Sequence, residues 1–107
     1  MTKQEEPIEF CSKSWEIDGS IRTQSVTISY TKKWDIRIEE YLTGDDLEET
    51  YGDWDHEEFI IIKRLDAPAL MTLLFKYAFN QSKPLNFSSL KSLLQENGLR
   101  FEHEMWS

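Results

Sequence analysis

Two stretches in the first third of the chain alternate apolar and polar side chains with a period of two, and that pattern leaves few folds open. Over residues 25–30, Val26, Ile28 and Tyr30 share one parity, and Ser25, Thr27 and Ser29 the other. Over residues 34–39, Trp34, Ile36 and Ile38 alternate with Asp35, Arg37 and Glu39. Successive side chains of a strand point to opposite faces, so each run predicts a strand with one buried and one wet face. Trp34 is expected inward and Asp35 outward. Thr31-Lys32-Lys33 is short enough to join the two as antiparallel neighbours.

The same reasoning extends in both directions. Residues 8–17 read as an earlier strand in which Ile8 and Phe10 have one parity and Cys11, Trp15 and Ile17 the other, so a bulge is expected between them. Asp18-Gly19-Ser20 then supplies a turn. The unbroken apolar run Phe59–Ile62 predicts a fourth strand, over residues 58–63, covered on both faces.

Beyond it the period changes to that of a helix. Asp66 stands where it would cap free amide groups, and Pro68 sits in a first turn that has no use for its missing N–H. Leu70, Leu73, Leu74, Tyr77 and Ala78 recur at helical spacing, and Met71, Phe75 and Phe79 are expected to widen the same buried stripe. A second helix is expected over residues 86–97. Asn86 is its N-cap, Leu85 is set to staple against Leu90, and Asn97-Gly98 is the left-handed stop, with Leu99 reaching back to Leu94. Leu99, Phe101, His103 and Met105 then alternate with charged residues as a C-terminal strand.

The expected fold class is therefore α+β. It has a mostly antiparallel sheet of about five strands (a meander, then a fourth and a C-terminal strand), with two helices packed on one face. At 107 residues, with no internal repeat, the chain reads as a single domain over residues 1–107, with residues 1–7 as a flexible tail. Four Trp, four Tyr and six Phe supply enough apolar area for a core at this length.

A lone cysteine, Cys11, forms no intramolecular disulfide, and the polar, acidic N-terminal residues carry no apolar stretch behind them. Both lead to the expectation of a cytoplasmic protein. No apolar run approaches the ~20 residues of a membrane span, so no membrane contact is expected.

The residues of common catalytic and cofactor signatures do not assemble here. Four glycines at 19, 44, 52 and 98 are too dispersed for a phosphate-cradling loop. Cys11 with His56 or His103 is a conceivable thiolate–imidazole pair, but a single cysteine within an apolar strand reads first as a packing residue. Asp53-Trp54-Asp55-His56-Glu57 offers oxygens at alternate positions, yet an EF-hand loop starting at Asp53 has Glu58 where Gly is required and Arg64 where Glu is required. The expectation is a protein that is not an enzyme, with no metal and no cofactor.

One segment stands out by charge. Between Glu39 and Glu58 lie ten of the 20 acidic residues and no Lys or Arg, in a chain whose net charge is −8. Tyr41, Tyr51 and Trp54 are interleaved with them. Such a run reads in the first place as a solvated, solubilising loop. Its aromatic content also suits a recognition surface, in which Tyr and Trp supply area and carboxylates supply steering. The residues expected to meet a partner are Asp45, Asp46, Glu48, Glu49, Tyr51, Asp53, Trp54, Asp55 and Glu57. The expected partner is a basic protein, as in the inhibitors and immunity proteins that block the phosphate site of a nuclease or nucleic-acid-binding protein.

Two alternatives remain open. The element order over residues 8–79, a strand meander followed by a helix, resembles that of single-strand-binding transcription coactivators. That resemblance implies nucleic-acid binding, with Tyr30 and Trp34 stacking bases beside Lys32, Lys33 and Arg37, against which the net charge argues. The other alternative is a homodimer formed by pairing of aromatic strands.

Overall fold

The computed structural model describes residues 7–17, 19–44, 55–80 and 83–106. They form one antiparallel sheet of five strands in sequential order, β1 (Ile8–Ile17), β2 (Ser20–Tyr30), β3 (Ile36–Thr43), β4 (Asp55–Ile62) and β5 (Glu102–Trp106). Two helices, α1 (Ala67–Asn80) and α2 (Phe87–Glu96), lie between β4 and β5. The α+β class, the meander and both helices are as expected.

Alternation decides which residues meet. On one face of the sheet Val26, Ile38, Ile60 and Ile62 join Leu70 of α1 and Phe87, Leu90 and Leu94 of α2 in a single buried cluster. Cys11, Ile28, Ile36, Leu85, Leu99 and Phe101 pack around it. The parity conflict in β1 is resolved as expected. Glu9 pairs with Thr27 and Cys11 with Val26, so a bulge lies between them and returns the later residues to the correct face.

Helix α2 is terminated by its own sequence. The Asn86 side chain accepts from Ser89 N–H at 2.8 Å, and Asn86 N–H donates to Ser89 Oγ at 2.8 Å, a reciprocal capping box. At the other end Gly98 adopts φ +68° and Leu99 N–H reaches Leu94 O at 3.0 Å.

Several local expectations are corrected. Trp34 is in a turn, not a strand: its φ is +65° and it is half exposed. The chain reverses over residues 31–35, with Trp34 N–H donating to Thr31 O at 2.9 Å and Thr31 N–H to Asp35 O at 2.9 Å. Asp35, expected outward, is buried. Its Oδ1 accepts from Arg64 N–H at 2.9 Å and its Oδ2 lies 3.4 Å from Lys63 Nζ. It thereby holds the first amide of the 3-10 turn Arg64–Asp66 that leads into α1.

In α1 only Leu70 is buried. Leu73 and Leu74 are partly covered, while Met71, Phe75 and Phe79 face solvent instead of widening the packed stripe. Finally, β4 is interior but covered by helices on one face alone. On the other, Phe59 is buried because the Arg37 guanidinium lies 4.1 Å from its ring centroid.

Candidate partner-binding face

The face of the sheet turned away from the helices takes its character from the odd-numbered residues of β2, β3 and β4 and the even-numbered residues of β5 and of β1 beyond its bulge. Directly paired residues share a face, so the register brings Glu9, Thr27, Glu39, Phe59 and Glu104 into one row across all five strands. A second row contains Ser12, Ser25, Tyr41, Glu57 and Trp106, and a third Ser14, Thr23, Thr43 and Asp55. With Glu16 opposite Ile21 and Glu102 opposite Ile61, seven carboxylates occupy this face among the described residues, with Arg37 as the one cation within the strands there and Lys63, just past β4, reaching Glu102 Oε1 at 3.4 Å.

Arg37 is itself taken up by Glu39, at 2.7 Å. Ser and Thr hydroxyls and the Tyr41 ring floor the space between the acids. Tyr41 OH donates to Asp55 Oδ2 at 3.3 Å, Ser25 Oγ donates to Glu9 Oε1 at 3.1 Å, and the hydroxyls of Thr23 and Thr43 bond each other.

Of the nine residues singled out by sequence, Asp55 and Glu57 are placed here. They belong to β4 and not to a loop, because the strand begins three residues earlier than its apolar run suggested. Asp45, Asp46, Glu48, Glu49, Tyr51, Asp53 and Trp54 lie outside the described residues. Glu9, Glu16, Glu102 and Glu104 were missed by sequence reasoning, which looked for acids adjacent in the chain. On a sheet the relevant neighbours are cross-strand.

The remaining described cations are elsewhere. Lys13 and Arg22 have the opposite parity, Lys76 and Lys91 are on the helices, and Lys83 lies between them. Lys32, Lys33, Arg64 and Arg100 lie in the connections at or near the ends of strands and helices. The set proposed to stack and pair with nucleic acid is thus divided. Tyr30 shares the helix-side face with Ile36, Arg37 points to the other, and Lys32, Lys33 and Trp34 sit in the turn between.

A second polar group lies on the helix side. Glu58, buried, accepts from His103 Nε2 at 2.6 Å and from Lys91 Nζ of α2, and lies 3.5 Å from Nε2 of the buried His56. Its direct neighbour on β3, Glu40, accepts from Gln24 Nε2 at 2.6 Å. Burial, the strongest single influence, pushes the Glu58 carboxyl up, but hydrogen bonds from Lys91 and His103, with their charges, outweigh it and hold it below the ordinary value of 4.5. An ionised, doubly bonded carboxylate is a poor proton donor, and this cluster acts as a buried ionic tie between sheet and α2.

Cys11 is not brought to either histidine. It stands on β1, three strands from His56 and four from His103, or roughly 14 and 19 Å at the usual strand spacing. Among the described residues no three His, Cys, Asp or Glu side chains gather as a metal site would require, and no helix is long and apolar enough to cross a membrane. No protein-family model, curated protein or solved structure matches this chain.

Proposed function

We propose that this chain is a small cytoplasmic protein-binding module and not an enzyme. Its acidic sheet face engages a basic partner protein, in the manner of an inhibitor or immunity-type protein that occupies a phosphate-binding groove. The observation that carries this reading is the segregation of sign: among the described residues, seven carboxylates lie on one side of the sheet against two cations, Arg37 and Lys63, each already paired with one of them. Gathering like charges costs stability. A fold that aligns them in cross-strand rows on a regular surface, floored by hydroxyls and Tyr41, suits recognition better than random solubilisation does. A sheet also holds the charges at fixed spacing, which lowers the ordering entropy lost on binding.

The test compares the immobilised chain with a variant carrying Asp55→Lys, Glu57→Lys and Glu104→Lys, both exposed to host lysate. The wild type is expected to retain strongly basic proteins that salt releases and single-stranded DNA displaces, and the variant to lose them. Retention of the same proteins by the variant, or capture of no basic protein by the wild type, contradicts the reading.

A further inference from the structure

Helix α1 is apolar on two sides, and the sheet uses one of them. At 100° per residue, Leu70, Leu74 and Tyr77 cluster on the side turned to the core. Met71, Phe75 and Phe79 form a row centred roughly 130° away. These three are 56%, 59% and 86% exposed. A helix apolar all round belongs in an interior, so the outer row of α1 lacks the cover its composition calls for.

We propose that a second copy of this chain supplies that cover, with α1 packing antiparallel on α1 across a two-fold axis through Phe75.

Three observations point to the same chain over another partner. The first is symmetry. Met71 and Phe79 are each one turn from Phe75, so a two-fold axis at Phe75 places Met71 of each copy on Phe79 of the other and Phe75 on Phe75, an isologous contact. Rows at four-residue spacing also interdigitate when two helices pack.

The second is charge. Two molecules of net charge −8 repel over most of their surfaces. Lys76 is the one ionisable Asp, Glu, Lys, Arg or His among the 14 residues of α1, and no carboxylate is present there. This face is where two copies approach at least electrostatic cost. A basic partner, by contrast, is drawn to the acidic face on the other side of the sheet.

The third is area. With about 200 Å² per large side chain, the exposed parts of Met71, Phe75 and Phe79 amount to roughly 400 Å² on each copy. The exposed Pro68, Thr72 and Ala78 beside them bring the total for two copies toward the ~1,000 Å² of a modest specific interface. A dimer that dissociates in the micromolar range follows, and it leaves both acidic faces outward.

The experiment is sedimentation equilibrium of the full chain from about 1 to 300 μM, a range that brackets such a constant. The wild type is expected to pass from monomer to dimer. Phe75→Glu, which sets a charge on the axis, is expected to raise the dissociation constant at least about 100-fold with unchanged circular dichroism. As a second arm, Phe75→Cys in a Cys11→Ser background is expected to give a covalent dimer with a short bis-maleimide. A wild type that stays monomeric throughout, a Phe75→Glu dimer of undiminished affinity, or no cross-link at position 75 overturns the proposal.

Discussion

Trp34 and Asp35 have exchanged the places that strict alternation assigns them, and the reason is local. Asp35 is more valuable inside, where it receives the Arg64 amide and faces Lys63, than a tryptophan would be in the same turn. The Arg64 N–H, chiefly, holds the Asp35 carboxyl below its ordinary value; burial opposes this and Lys63 reinforces it. Trp34 is left at positive φ, half exposed, its ring centroid 5.9 Å from that of Tyr30. Relief of the left-handed backbone, about 1 kcal/mol, nearly offsets loss of the tilted aromatic contact. Trp34→Gly should therefore change unfolding free energy by less than about 1 kcal/mol in urea titration, against about 3–5 kcal/mol for a tryptophan in the core.

Glu58 makes a prediction of the opposite kind. Its folded-state pKa is depressed, so its stabilising contribution is complete above the ordinary value of 4.5 and is lost as pH falls through the lowered value. Glu58→Gln should lower Tm at neutral pH, and the gap to wild type should narrow as pH drops below 4.5. A gap independent of pH would show that the ionic tie to Lys91 and His103 contributes nothing.

The elements differ in how plainly the chain announces them. The C-terminal half of β2 and both ends of α2 are legible: the first by its β-branched alternation, the second because Asn86, Gly98 and Leu99 mark the ends with hydrogen bonds the structure contains. β4 was read too short, because Asp55, His56 and Glu57 look like loop residues until Thr43, Leu42 and Tyr41 of β3 are known to pair with them. A one-dimensional pattern carries no such information. α1 was legible as a helix and in its inward stripe of Leu70, Leu73 and Leu74, but not in the width of that stripe, since Met71, Phe75 and Phe79 face solvent. Leu94, fully buried in the last turn of α2, should cost about 2–5 kcal/mol when replaced by alanine, whereas the part-exposed Leu74 of α1 should fall at or below the lower end of that range. Asn86→Ala should cost about 1 kcal/mol through the lost cap. Thermal unfolding of the three variants ranks them directly.

At the scale of the whole molecule, two faces with opposite chemistry are held apart by one sheet. The acidic face is built from residues distant in sequence, which is why the charged run contains only Glu39, Asp55 and Glu57 of it. The sheet supplies a fixed cross-strand spacing. The outer side of α1, uncharged but for Lys76, lies beyond the helices, so binding at one surface leaves the other free. The most direct test is the dissociation constant of the captured basic partner, measured at two ionic strengths for the wild type and for Asp55→Lys, Glu57→Lys, Glu104→Lys. The account predicts wild-type affinity that weakens with salt, and a variant at least about 100-fold weaker at the lower salt. Equal affinities for the two proteins, insensitive to salt, would contradict it.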